Sequence, residues 1–268
     1  MGLCGSGHCD DPFTGDQCFA LSFLYHEEDG ASLAEKAKPG DKWKRDGRAS
    51  PHGSSHRVAV FITAIGSMVM QSANNGLGST YVSAFTAAMK IKQFTMCPFD
   101  AIATSASVFC SQNLGAGQSD RIKKGLRCGI TVGVGYGIAA GILLIFAGRT
   151  LSMLFVGKSA VAVLDASAKY LRCMGFFYWS LGILNVARMV TQGLGYSGRA
   201  VFSGVTEMIA RTVVCLGFVG TFGFTAICFA DQTAWITATC YIFPTCLWCI
   251  RKSTKMLASI AVRVNNAS

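Results

Sequence analysis

The chain has 268 residues, of which 51% are hydrophobic and 14% charged, with a net charge of +10 and a mean hydropathy of +0.41. An ordinary soluble domain carries about 25% charged residues, so a soluble core of this size would lack the polar surface to cover it. Apolar runs of about 20 residues crossing a bilayer need no such cover, and without an aromatic-interleaved basic patch the positive charge argues for basic cytoplasmic loops rather than for nucleic acid.

Residues 1–56 differ from the rest. They hold all four histidines (His8, His26, His52, His56) and nine of the fourteen acids. The apolar run at 18–25 is too short to span, and no basic region precedes it, so it is not a signal peptide. Residues 36–57 read as a solvated linker. Cys4, His8 and Cys9 give only a weak metal-binding pattern, and none is assigned. Met1-Gly2-Leu3-Cys4-Gly5-Ser6 loosely fits a myristoylation pattern with a palmitoylatable Cys4. The segment 1–56 is expected to be polar and poorly ordered, followed by a membrane unit at 57–255 and a cytoplasmic tail at 256–268.

Six apolar segments follow, at about 58–77, 80–113, 120–146, 161–194, 200–230 and 233–250. Several exceed one crossing, so their ends should tilt or protrude. Pro98 lies within the second; it removes a donor and crowds the preceding turn, so a kink or break is expected there. Strands are not expected, because an alternating barrel pattern is absent. Nine of the twelve cysteines lie after Val58, mostly in apolar runs, where they act as small hydrophobes. Cys246-Leu247-Trp248-Cys249 has CxxC spacing but lies in an apolar helix, so no redox site is assigned.

After Val58 the acids are Asp100, Asp120, Asp165, Glu207 and Asp231, against seventeen Lys and Arg. The bases concentrate at one set of turns. Arg121, Lys123, Lys124 and Arg127 follow the second segment, Arg199 follows the fourth, and Arg251, Lys252, Lys255 and Arg263 follow the sixth. The first-to-second turn has none, and neither does the fifth-to-sixth turn, expected near Asp231. Arg149 and Lys158 are discordant. Six crossings with both termini cytoplasmic satisfy the positive-inside rule.

Gly125, Gly129, Gly133, Gly137 and Gly141 recur every four residues on the third segment, a small-residue face that lets another helix approach closely. Gln71, Asn74 and Asn75 end the first segment, either as interhelical glue or as cavity lining. Lys90 and Lys92 sit in the second, where a charge must face a cavity or partner, or snorkel to the interface; Asp100 is a candidate partner for one of them. Tyr178, in the run Phe176-Phe177-Tyr178-Trp179, lies near mid-span. There it either lines a cavity that holds an organic cation through cation–π attraction or belongs to an interfacial belt. Asn185 follows it. Glu207 and Arg211 are four apart and read as a structural ion pair, with an ion or proton site as the alternative. No nucleophile triad, paired-carboxylate site or phosphate loop is present, so the chain is not read as an enzyme.

The wording of several stretches resembles one family. Residues 62–78 (Ile62-Thr63-Ala64-Ile65-Gly66 through Gln71-Ser72-Ala73-Asn74-Asn75-Gly76-Leu77-Gly78) resemble the seventh helix of multidrug and toxic compound extrusion (MATE) transporters. Val82-Ser83-Ala84-Phe85-Thr86-Ala87-Ala88, with the turn at Asn113-Leu114-Gly115-Ala116-Gly117, resembles their eighth helix and next loop. Gln192-Gly193-Leu194-Gly195-Tyr196-Ser197-Gly198-Arg199 resembles the turn after their tenth helix. The resemblance covers about 60–255 and implies an all-α membrane protein, with six transmembrane helices forming the second of two six-helix lobes. It further implies a plasma-membrane antiporter that exports drugs or organic cations in exchange for Na⁺ or H⁺ by rocking between two states, with no other cofactor. The partners it implies are the bilayer, small organic cations, and a first lobe made separately or supplied by a second copy; nucleic acid is not among them. The first lobe and its coupling acid have no counterpart here. The abrupt change just before Phe61 suggests a truncated or frame-shifted product. Alternatives are a non-transporting membrane subunit or inert fragment, and a lipid-linked precursor flippase.

Overall fold

The computed structural model describes the backbone of residues 51–157 and 160–265 and the side chains of 61–157 and 160–257. The expectations for residues 1–50 lie outside the described residues. Among the described residues six helices follow one another: α1 (Pro51–Asn75), α2 (Ser79–Gly115), α3 (Ser119–Ser152), α4 (Val161–Gly193), α5 (Ser197–Phe222) and α6 (Phe224–Asn265). No strand occurs among the described residues. Four of the six, α3 to α6, are long and apolar enough to cross a membrane. Charged and polar residues dilute α2, which holds Lys90, Lys92 and Asp100.

Several features differ from expectation, among them the sixth segment, expected at 233–250, which runs as α6 from Phe224 to Asn265. Helix α1 begins at Pro51 rather than near Val58. Helix α2 runs unbroken through Pro98. Hydrogen bonds from other groups stiffen that turn: the Tyr136 hydroxyl donates to the Thr95 carbonyl (3.0 Å), and the Thr95 hydroxyl donates to the Lys92 carbonyl (2.9 Å). The fifth span ends at Phe222, not near residue 230, because Gly223 adopts φ 54° and turns the chain in one residue. Asp231 is therefore not in a turn but inside α6, and fully buried.

Two turns share one geometry. At the end of α2, Gly117 N–H donates to the Leu114 carbonyl and Gln118 N–H to the Asn113 carbonyl. At the end of α4, Gly195 N–H donates to Gln192 and Tyr196 N–H to Thr191 in the same pattern. Both are Schellman caps, which place a glycine in the left-handed region; Gly117 has φ 74° and Gly195 has φ 92°.

Successive helices run up and down. One end of the bundle carries the α2–α3 and α4–α5 turns and the bases Arg121, Lys123, Lys124, Arg127, Arg199, Arg251, Lys252 and Lys255, with Asp120 among them. Helix α4 lies at the centre, packed on α3, α2 and α6. Its apolar window is 61% buried, against 17% for α5, which rests between α1 and α6 at the edge.

The closest packing joins α3 to α4. A Cβ on Gly137 would stand 2.8 Å from the Tyr178 carbonyl oxygen, and one on Gly133 would stand 3.3 Å from the Gly182 carbonyl oxygen. Gly141 faces the carbonyl of Gly175, and Gly129 faces Ala106 and Val186. Gly125, at the basic end, faces the Phe109 ring of α2. Over Gly133, Gly137 and Gly141 the stripe meets α4 backbone to backbone, a contact only small residues allow, while at Gly125 and Gly129 it takes neighbouring side chains.

Candidate functional site

An apolar bundle in a bilayer has no reason to bury charge unless the charge is paired and used, since each ionisable group inside a membrane is costly. This bundle joins five charges in one chain of contacts, four of them buried and Arg188 half-buried. Lys92 of α2 donates to Asp231 Oδ2 of α6 at 2.6 Å, with the carboxylate fully buried. The Tyr170 hydroxyl of α4 donates to the same oxygen at 2.5 Å. Arg211 Nε of α5 stands 2.9 Å from Asp231 Oδ1, an ion contact without hydrogen-bond alignment. Arg211 also donates to Glu207 Oε1 at 2.6 Å, one turn along α5. Arg188 of α4 donates to Glu207 Oε2 at 2.6 Å and to Ser203 Oγ at 3.0 Å.

Four helices are tied by this chain, and its spacing follows from the helical repeat. Ser203, Glu207 and Arg211 are four apart, so they form one stripe on the inner face of α5. Three cations meet two carboxylates, which leaves one positive charge in excess. Arg188, the least buried member with its side chain 16% exposed, is at the open end. Lys92 is further held over the Trp235 ring, 5.2 Å from its centroid.

An aromatic box adjoins the Lys92 end. Tyr178 is fully buried, bonds the Thr95 hydroxyl at 2.5 Å and packs edge-on against Phe99 and Trp235. Phe99 in turn packs on Tyr136. Because Thr95 donates to the Lys92 carbonyl, its oxygen accepts from Tyr178. The box and the charge chain are thus continuous through α2.

The other sequence candidates fall in different places. Glu207 is in the chain, paired with Arg211 and also with Arg188. Asn185 is buried on α4 with Nδ2 unpartnered. Asn74 is buried and donates to the Tyr81 carbonyl at 3.3 Å, which ties the α1–α2 turn, while its Oδ1 is unpartnered. Gln71 is half-buried and Asn75 exposed on α1. Lys90 is exposed, with Nζ 5.8 Å from the Phe155 ring centroid. The partner of Lys92 is Asp231 and not Asp100, which sits exposed past Pro98. Sequence reasoning missed Tyr170, Arg188, Asp231 and the neighbouring Gln232, whose amide is buried with neither atom bonded. Arg188 carried a signal, as a lone charge in the apolar run 179–191. Among the described residues no group of His, Cys, Asp and Glu could hold a metal ion.

The charge chain thus lies inside a bundle of which four helices are long and apolar enough to cross a membrane. The MatE family model matches residues 57–217, more than half of the chain, and the chain belongs to that family. No curated protein matches it. Among solved structures, a MATE transporter in the bent conformation is 14% identical with a TM-score of 0.72, covering 84% of this chain and 49% of that one. The Vibrio cholerae MATE transporter VcmN in the bent form is 16% identical with a TM-score of 0.68, covering 75% and 45%. A MOP superfamily transporter from Pyrococcus furiosus, described as having a binding pocket of reverse polarity that suggests a different function, is 14% identical with a TM-score of 0.66, covering 76% and 47%. These likenesses show a shared fold, of which this chain spans about half the length.

Proposed function

We propose that the chain serves as one six-helix lobe of an antiporter that exports drugs or organic cations in exchange for Na⁺ or H⁺. It would sit in the plasma membrane with both termini cytoplasmic, working with a separate first lobe or a second copy. The observation that carries the reading is the charge chain Lys92–Asp231–Arg211–Glu207–Arg188 within a MatE-family bundle. Ionisable groups inside a membrane mark transport pathways and their gates, and substrate sites lie where two repeats face one another. Opening the Asp231 contacts would unpair Lys92, take from Arg211 one of its two carboxylates, and loosen α2, α5 and α6 at a single point. Alternating access would have to break and remake a contact that ties three helices at one point.

The test is dye efflux from cells that express only this chain. Ethidium accumulation should fall below that of the empty vector, return when the ion gradient is collapsed, and return with Asp231→Asn. Efflux equal to the empty vector from stably inserted protein defeats autonomous antiport and favours a non-transporting subunit, while export of a lipid-linked precursor would favour the flippase reading.

A second substrate class is favoured by the excess positive charge of the chain and the exposed Lys90 on α2. It is an organic anion, consistent with a solved relative described as having reversed pocket polarity. An anionic dye in the same assay separates the two.

A further inference from the structure

Helices α5 and α6 leave a groove of about 350 Å³ between them on the outer side of the bundle. It is lined by Phe202, Thr206, Ile209 and Val213 of α5 and by Thr233 and Thr237 of α6. The hydroxyls among these are turned to their own helix: Thr206, Thr233 and Thr237 each bond the carbonyl four residues earlier. The lining presented to an occupant is therefore apolar. From Phe202 to Val213 the helix rises roughly 16 Å at 1.5 Å per residue, about half of the ~30 Å hydrocarbon core. The groove is one leaflet deep.

The stripes that form it end in charge. On α5 the face continues through Phe202 to Arg199, and on α6 it continues from Thr237 through Tyr241 to Trp248 and Lys252, in steps of three, four or seven residues. Phe202 and Tyr241 meet at the basic end of the groove with ring centroids 5.3 Å apart. Just beyond, the Arg199 guanidinium lies 3.7 Å from the Trp248 ring centroid and Lys252 Nζ 5.0 Å from the same centroid. Lys252 is also 5.8 Å from the Tyr196 ring. Arg199, Lys252 and Trp248 are all exposed. No ion pair joins Arg199 or Lys252 to a carboxylate among the described residues, and no acid follows Asp231 in the chain. Two cations converge on an indole that attracts them without neutralising them.

We infer that this is a binding site for an anionic phospholipid, its phosphate between Arg199 and Lys252 and one acyl chain along the α5–α6 groove. Charge complementarity selects the headgroup, and the leaflet-deep groove selects a lipid over a soluble phosphate. Placing that lipid in the cytoplasmic leaflet rests on the orientation given under Proposed function; the binding itself does not.

The test is native mass spectrometry of the full chain in detergent, titrated separately with dioleoylphosphatidylglycerol, dioleoylphosphatidylcholine and inorganic phosphate. Wild-type protein should retain phosphatidylglycerol about tenfold better than phosphatidylcholine, since two basic residues meet the headgroup. Arg199→Gln with Lys252→Gln should erase that preference, and Val213→Trp should reduce retention of both lipids. Equal retention of the two lipids by wild type overturns the headgroup site, and this reading needs no variant to fold. Displacement of the lipid by millimolar inorganic phosphate, or full retention in Val213→Trp, overturns the acyl groove. Selective lipid retention in a chain that fails to export dye would separate this site from the transport reading.

Discussion

Lys92 and Asp231 stand 139 residues apart in the chain and meet at 2.6 Å, the lysine on α2 and the carboxylate fully buried on α6. Asp231 also receives Tyr170 and faces Arg211. One carboxylate thus answers donors from three other helices. Removing one partner of a buried pair costs about 3–5 kcal/mol, because the other charge is left uncompensated. Asp231→Asn strands Lys92 and takes from Arg211 one of its two carboxylates, leaving it Glu207, and should reach the upper part of that range. Lys92→Met leaves Asp231 with Arg211 and Tyr170 and should cost less. Thermal melting of the detergent-solubilised variants measures both. The double variant should cost less than the sum of the singles; additive losses would show that the pair is not coupled.

Arg211 bridges the two carboxylates, using Nε toward Asp231 and a terminal nitrogen toward Glu207. An ammonium on a lysine stem cannot offer two separated donors in a fixed plane. Arg211→Lys should therefore lose one of the two contacts and destabilise the chain by about 2 kcal/mol. Glu207→Gln should be worse, because Arg188 and Arg211 both lose a charged acceptor. A melting profile for Arg211→Lys indistinguishable from that of wild type would remove the bridge from the account.

How much of this was legible depends on distance along the chain. The Glu207–Arg211 pair is local, and its four-residue spacing announced it. The helices and the glycine face of α3 were legible for the same reason, since each is a period within one segment. Asp231 was not, because the expected turn fell in the wrong place. The stretch Val219-Gly220-Thr221-Phe222-Gly223 contains no proline and stays apolar, so hydropathy ran the fifth span through to residue 230. A single glycine at φ 54° makes the turn instead, and that shift moves Asp231 from a loop to the interior of α6. The partner of Lys92 was beyond reach because no local pattern links α2 to α6. Asp100, eight positions along the same helix, was the nearer guess.

Tyr178 and Thr95 give a smaller, cleaner probe. The phenol is fully buried and its one polar partner is the Thr95 hydroxyl at 2.5 Å. Tyr178→Phe removes the donor but leaves Thr95 bonded to the Lys92 carbonyl at 2.9 Å. No buried group is orphaned, so the loss should be that of one hydrogen bond, about 1 kcal/mol. Packing against Phe99 and Trp235 is retained. Thr95→Val, by contrast, strands the phenol and should cost more, about 2 kcal/mol. The order of the two melting temperatures is the check; the reverse order would mean that Tyr178 finds another partner.

The α3–α4 contact is the most demanding of the packing surfaces, because it brings backbone against backbone. At Gly137 an added Cβ would meet the Tyr178 carbonyl oxygen at 2.8 Å and the Trp179 Cα at 2.9 Å. These atoms belong to a helix and cannot turn aside as a flexible side chain would. Gly135, on the opposite face, has open space at its Cβ position. Gly137→Leu must push α3 away from α4 over several turns, forfeiting the contacts of Gly133 and Gly141 as well. Overpacking of this kind costs about 3 kcal/mol, and because α4 is the central helix the loss should spread to the Tyr178 box. Gly135→Leu adds an apolar side chain to an open face and should leave the melting temperature within about 2 °C of wild type. Fluorescence-detected size exclusion across a temperature ramp distinguishes the two variants: Gly137→Leu should lose its monodisperse peak and Gly135→Leu should keep it. Equal behaviour would mean that the glycine stripe does not set the distance between these helices.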